Sequence, residues 1–352
     1  MLVLLGGVVL SPSLSSAETA VTPSQGQERP ARPGPTLQAY FENDLFCDTD
    51  RYYTNAVQMR LISPDLNSPD ENEMLPDGMS RLLNDVPFPG SDDAVQYNLS
   101  LGFGQQIYTP SDTQIVDPPD GERPYAGYLY GFLALHAKQY NRLDTLELAV
   151  GMIGPSALGE QAQNEVHRIR DIDTAKGWET QLHDEPTAML TWTRTWRLNE
   201  ACEGLGWDVL PHLGLSAGTP FTQASLGGEV RFGWNLPSDF GTSTIRPGSG
   251  INAPSRDDME RRHNGAFWEN FSLYMFVGAD GRAVAWNSSL DGNIWKDSRN
   301  VDKYPFVGDL TGGLGVRLYD FSLTYTHVYR SLEFHGQDEG QNFGSLTMGY
   351  MF

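Results

Sequence analysis

The sequence predicts an all-β fold: a transmembrane antiparallel β-barrel of about twelve strands, with a short helix in an extracellular connection. Three observations predict it. The chain closes on Phe343-Gly344-Ser345-Leu346-Thr347-Met348-Gly349-Tyr350-Met351-Phe352. Positions 346, 348, 350 and 352 are large and apolar, Ser345, Thr347 and Gly349 lie between them, and Met351 is the exception. That alternation, ending on an aromatic residue, suits a last strand with one face in lipid and the other in a crowded lumen. The chain opens on the apolar run Leu2-Val3-Leu4-Leu5-Gly6-Gly7-Val8-Val9-Leu10, with Ser15-Ser16-Ala17 before Glu18. This reads as an export signal over residues 1–17, expected to be incomplete because no Lys or Arg precedes it. Beyond it, no apolar stretch reaches the roughly 18 residues a membrane helix needs. Only helices and closed barrels satisfy every backbone polar group in lipid, so a membrane reading requires a barrel.

The elements follow in order. Residues 18–35 are rich in Pro, Gln and Ser and read as a flexible arm, which leaves 36–352 for the barrel. From Thr36 onward, segments of about ten residues with period-two patterning recur between turn residues. The predicted strands are 36–44, 53–62, 95–106, 126–137, 143–152, 186–197, 207–217, 221–234, 268–287, 307–317, 320–330 and 343–352. Alternation is clearest in the sixth, where Ala188, Leu190, Trp192 and Trp196 lie opposite Thr191, Thr193 and Thr195. In the fifth, Leu146, Leu148 and Val150 oppose Thr145, Glu147 and Ala149. An even strand count puts both termini on the periplasmic side. Connections after odd strands then face outward: 45–52, 107–125, 153–185, 218–220, 288–306 and 331–342. Of those after even strands, 63–94 and 235–267 are long for periplasmic turns.

The third outward connection predicts a helix over 156–169, after Gly154-Pro155, with Ser156 as N-cap. Glu160, Gln163, Asn164 and His167 then line one stripe. A polar stripe carrying a histidine at the mouth of a barrel is a candidate site.

Composition bounds the partners. A net charge of −21 argues against nucleic acid, which demands basic patches. Acidic residues solvate a surface, and some could instead gather around a divalent cation. Cys47 and Cys202 are too few for a disulfide framework. The strand order puts them on opposite sides of the membrane, so they are expected to be unpaired.

The outward connections hold most of the reactive residue types. The first strand ends in Glu42-Asn43-Asp44, and Asp48-Thr49-Asp50-Arg51-Tyr52-Tyr53-Thr54-Asn55 leads into the second. In a regular strand Asn43 and Asp44 point to opposite faces, so one site can use both only if the strand ends or bulges there. The plain alternative is a solvated loop with a structural Arg51 ion pair. The second outward connection holds Tyr108-Thr109-Pro110-Ser111-Asp112 and Glu122-Arg123-Pro124-Tyr125-Ala126-Gly127. There Tyr125, Tyr128 and Tyr130 read as an interfacial aromatic belt. Of the seven histidines, His136, His212 and His327 fall in strands and His263 and His335 in polar loops. Only His167 has polar neighbours at helical spacing, and histidine is the usual general base. No Gly-x-Ser-x-Gly elbow is present, which rules out an α/β-hydrolase, and the absence of His-Glu-x-x-His, a Walker loop and CxxC argues against zinc protease, nucleotide and thiol redox chemistry.

Taken together, six motifs resemble the outer-membrane lipid A 3'-O-deacylase family (the LpxR type) over roughly residues 37–190. They are Glu42-Asn43-Asp44-x-Phe46, Thr49-Asp50-Arg51-x-Tyr53-Thr54-Asn55, Tyr108-Thr109-Pro110 and Arg123-Pro124-Tyr125-Ala126-Gly127, then Gly154-Pro155-x-x-x-Gly159-Glu160-x-x-Gln163-x-x-x-His167 and Gly177-Trp178-x-x-Gln181-Leu182-x-x-Glu185. The resemblance implies a calcium requirement and removal of 3'-linked acyl chains from lipid A in the outer leaflet. It implies that His167 is the catalytic histidine, with Asn43, Asp44 and Thr54 near it and Gln163 lining the site one turn earlier. Two departures stand out. A lysine of the second outward loop has no match in Thr113-Gln114-Ile115, and a glutamate after the histidine is matched by Asp173.

The expected chemistry is ester hydrolysis by a water that His167 activates, with calcium near Asn43 and Asp44 and a hydroxyl donor from Thr54. Asp173, Arg51 and Tyr125 are the expected substrate contacts, lipopolysaccharide and its membrane are the partners, and a monomer is expected. Two rivals are a porin or scaffold barrel and a phospholipase with a serine nucleophile, for which Ser111 and Ser156 are the outward serines.

Overall fold

The computed structural model describes residues 34–352 apart from 48, 72–75, 77, 79, 80, 82, 84, 87–94, 200–203 and 246–266. The expected signal, nearly all of the expected arm, and Cys202 lie outside the described residues.

Twelve antiparallel strands close into one barrel. They are β1 Thr36–Asn43, β2 Tyr52–Ile62, β3 Gln96–Thr109, β4 Ala126–Gln139, β5 Arg142–Ile153, β6 Glu185–Trp196, β7 Leu205–Gly218, β8 Phe221–Trp234, β9 Phe271–Asn287, β10 Phe306–Leu318, β11 Phe321–Arg330 and β12 Gln341–Met351. Each strand pairs with its sequence neighbours, and β1 closes on β12 from Thr36↔Met351 to Asn43↔Gly344. Closure leaves no edge with unpaired backbone groups in lipid. Every strand expected from the patterning is present. The largest shifts are the extension of β3 to Thr109 and the start of β9 at Phe271, which follows a 3-10 turn at Phe267–Glu269.

The wall is two-faced. In β2, Val57, Met59 and Leu61 are exposed while Ala56, Gln58 and Arg60 are buried. In β12, Met348 and Tyr350 face out and Ser345, Thr347 and Met351 face in. The outward set meets lipid. The inward set is polar and carries charges that are paired, since an unpaired buried charge is costly. Arg60 meets Glu147 at 3.4 Å, Arg282 and Arg330 share Asp309 at 2.8 and 3.0 Å, and Arg231 is held by Asp208 and Asp239.

Both ends of the lumen are occupied. At the outer end, Arg123 is fully buried, donates at 2.8 Å to Glu333 and to Ser289, and lies over the Tyr108 ring. Tyr52, Leu290, Val301 and Phe334 form a small apolar cluster beside it. At the periplasmic end, residues 235–245 of the long 235–267 connection turn into the barrel, where Ser243 meets Tyr40 at 2.9 Å.

Four expectations are corrected. Ser156 is not the N-cap: its amide and hydroxyl bind Asp184, both at 2.7 Å, and Pro155–Ala157 is a separate 3-10 turn. The helix α1 spans Gly159–Arg170 and is capped by Leu158, which takes a left-handed φ of 58°. Tyr128 and Tyr130 form no belt, because they point into the lumen, stacked at 4.7 Å. Finally, α1 does not sit over the barrel mouth but against the outer wall.

Candidate active site

The placement of α1 follows from strand parity. In β3, Leu101 and Phe103 point to lipid, so Gln105, Ile107 and Thr109 point the same way. Yet Ile107 and Thr109 are buried, because α1 and the chain after it cover them. Ile107 packs with Tyr125, Ala175 and Trp178, and Ala162 of α1 lies against that group. Gln105 donates to the Ala157 carbonyl at 2.6 Å. Gly127 of β4 makes the close approach possible, since a Cβ there would stand 3.1 Å from the Gly159 amide nitrogen.

Two interruptions of the wall bring further side chains to this outer face. β1 ends at Asn43 and a 3-10 turn begins at Asp44, which meets the requirement that the strand stop there. The β2–β3 register shifts between Tyr53 and Asn55. That bulge lets Tyr53 point inward while Thr54 meets outward-facing Thr109, hydroxyl to hydroxyl at 2.8 Å.

Asp50 is the hub. Its Oδ1 accepts from Gln163 Nε2 at 3.1 Å. Its Oδ2 accepts from the Thr113 hydroxyl at 3.2 Å and lies 3.4 Å from His167 Nε2. His167 Nδ1 lies 2.7 Å from the Asp173 carbonyl. A carbonyl only accepts, so Nδ1 carries a proton and Nε2 is the nitrogen left to act as base. Hydrogen bonding to Asp50 is the chief cause that raises the His167 pKa, against burial, which lowers it. Trp178 Nε1 donates to Gln163 Oε1 at 2.9 Å and fixes the orientation of that amide.

Asp44 is fully buried. Its Oδ2 accepts the Arg51 amide at 2.6 Å, while Oδ1 has no hydrogen-bond partner. Burial pushes its carboxyl up to about 9, and the Asp50 carboxylate adds to the rise. A buried carboxyl with a donorless oxygen fits a cation, which satisfies the oxygen and offsets the repulsion between the two aspartates. Asn43 Oδ1 accepts the Leu45 amide at 2.7 Å and keeps a second lone pair. Among the described residues no group of three or more His, Cys, Asp or Glu could hold a metal ion. A cation here therefore needs backbone, amide, water or substrate oxygens as well, which suits calcium.

The other expected contacts fall out as follows. Arg51 is tied to Glu339 of the last outward connection. Asp173 enters through its main-chain carbonyl, and its side chain is exposed. Tyr125 is fully buried, donates to the Thr113 carbonyl at 3.2 Å and packs on Trp178, which leaves it no surface for a substrate. The outward serines are engaged elsewhere: Ser111 donates to Glu122 at 2.6 Å and Ser156 to Asp184. Asp50, Thr113 and Trp178 are the members that sequence reasoning left out. Asp50 and Trp178 stand inside quoted motifs, and Thr113 occupies the stretch where a lysine was expected.

A family model described as outer membrane protein LpxR matches residues 4–352. Among solved structures, LpxR from Salmonella typhimurium is similar at a TM-score of 0.69 and 17% identity, over 90% of this chain and 100% of that one. The β domain of the Bordetella autotransporter BrkA follows at 0.41 and 11%, over 92% and 99%. No curated protein matches the chain.

Proposed function

The chain belongs to the LpxR family of outer-membrane proteins, and from that premise we propose that it is a carboxylic ester hydrolase that removes 3'-linked acyl chains from lipid A. The observation that carries the reading is a buried base, His167, with a carboxylate partner on the lipid-facing side of the wall. An ester at the top of the outer leaflet lies at that level. The exposed edge of α1, Arg168-Ile169-Arg170, suits an anionic headgroup surface.

In the proposed mechanism, His167 Nε2 takes a proton from a water whose oxygen attacks the ester carbonyl carbon. The Nδ1–H bond to the Asp173 carbonyl holds the ring, and Asp50 stabilises the imidazolium that forms. Gln163 and Thr113 hold Asp50 in turn. The Thr54 hydroxyl donates to the oxyanion. His167 then returns the proton to the departing sugar oxygen, which leaves as a hydroxyl, and the freed fatty acid loses its own proton to water. Asp44 Oδ1 and the Asn43 amide oxygen are the groups that would hold calcium, which would supply positive charge for the ester oxygen. Arg51 and Asp173 remain the residues for headgroup contact.

Two features weigh against the rivals. The occupied lumen speaks against a porin, and the carboxylate-bound Ser111 and Ser156 speak against a serine nucleophile. The test is mass spectrometry of lipid A from a Gram-negative host expressing the chain, with calcium and with a chelator. Calcium-dependent loss of the 3' acyl group is expected. Unchanged lipid A beside a folded barrel overturns the reading, and loss that survives the chelator removes calcium from it.

A further inference from the structure

Residues 235–245 leave the periplasmic end of β8 and run inside the lumen as a strap. Asp239 is held by Arg231, and the Thr242 amide donates to Glu229 at 3.2 Å. Ser243 lies 2.9 Å from the Tyr40 hydroxyl. At the far end, the Ile245 N–H donates to Glu42 Oε1 at 2.7 Å. The strap has therefore climbed to the last inward-facing residue of β1.

Glu42 is buried, and its other oxygen accepts the Tyr53 hydroxyl at 2.7 Å. It thus ties β1 to β2 just beyond Asn43↔Asn55, the last pair of the ladder between them. One residue on, β1 ends at Asn43 and Asp44 begins the turn. One residue past Tyr53, Thr54 sits in the bulge. Register pairing alone fixes strands well and strand ends poorly. A carboxylate with one donor from β2 and one from the strap bridges the gap between β1 and β2 past that last pair.

We infer that the strap 235–245 is a luminal strut that positions the catalytic lip through Glu42, so that Glu42, on the inner face, holds Asn43, Asp44 and Thr54 in place on the outer face. Glu42 touches no reacting atom; it is a positioning residue.

The test compares Glu42→Ala, Glu42→Gln, and the double variant Ser243→Ala with Ile245→Pro, which deletes the strap's N–H donor. All are made in the full-length chain with Cys202→Ala. Folding is checked by the heat-dependent gel mobility of the barrel. Two readouts are taken. The first is kcat and KM on lipid A in mixed micelles, which rests on the deacylase reading. The second is the alkylation rate of Cys47 by a maleimide, which does not. Cys47 ends the turn that starts at Asp44, beside Phe46, which packs on Tyr325. Glu42→Ala and the strap variant are expected to alkylate several-fold faster and to lose kcat by about 100-fold with KM unchanged, as a misplaced reacting group does. Glu42→Gln, which keeps an acceptor for Ile245, is expected to restore most of both. An unchanged alkylation rate in the folded variants overturns the strut, whatever the activity. Faster alkylation with no deacylation even by the chain with an intact strap leaves the strut standing and removes the deacylase reading. The strap variant keeps the inference testable should Glu42→Ala fail to fold.

Discussion

The outer face of β3 and β4 is covered at both ends, and the two covers differ in chemistry. At the periplasmic end, Leu66, Leu83 and Val86 lie on Leu99, Leu135 and Ala137, and Leu66 exchanges backbone hydrogen bonds with Tyr97 at 2.8 Å. At the outer end, α1 lies on Ile107 and Tyr125, but it also buries His167 and Gln163 against Asp50. The first cover is apolar and closes on itself. The second spends part of its burial on polar groups that desolvation penalises. Burial on this wall is thus no mark of a site. Buried polar side chains held by one another, with an oxygen such as Asp44 Oδ1 left over, are that mark.

The contrast breaks hardest at His167. His167→Ala removes the proposed base and leaves the Ile107–Tyr125–Trp178 contacts intact. Turnover of the lipid A ester, followed by mass spectrometry, is expected to fall by at least about 100-fold with the barrel still folded. Persistent deacylation by the folded variant refutes the role.

Asp50→Asn comes next and sharpens the comparison through pH. His167 must be neutral to accept a proton, and its pKa is raised above the ordinary 6.5, chiefly through Asp50. Activity should therefore rise with pH through a midpoint above that value. The variant should carry the midpoint downward and lower the plateau by roughly 10-fold, since Asp50 also orients the ring. A pH–rate profile whose midpoint does not move would count against the pairing.

The smallest effect on turnover is expected at the other cover. Leu66→Ala opens an apolar contact and should cost about 2 kcal/mol or more of stability, read by denaturant unfolding in detergent. The activity of the folded protein should stay unchanged. A loss of turnover as large as that of Asp50→Asn would mean that the two covers are not independent.

The barrel was legible because its signal is local. Whether Leu190 or Thr191 faces lipid is decided by alternation within one strand. Half of the site was legible for the same reason, since Gln163 and His167 are one helical turn apart. Asp50 was not, because its partners Thr113, Gln163 and His167 come from two other outward connections. The Ser156 cap failed to a distant competitor, Asp184, which takes both its amide and its hydroxyl. Parity placed Tyr125 on the outward side, but only the folded chain shows that Trp178 covers it. The 235–245 strap carries the Pro, Ser and Gly of an ordinary turn, and nothing in that composition says that it points inward.

In the proposed mechanism the base lies outside the wall, which changes what concentration means for this protein. Its supply is a two-dimensional fluid, not the surrounding water. Encounter then depends on the mole fraction of substrate among neighbouring lipids and on how fast they exchange places. A dilute culture with a rich outer leaflet presents a saturating load, whereas a dense one whose leaflet is crowded with inert lipid presents little.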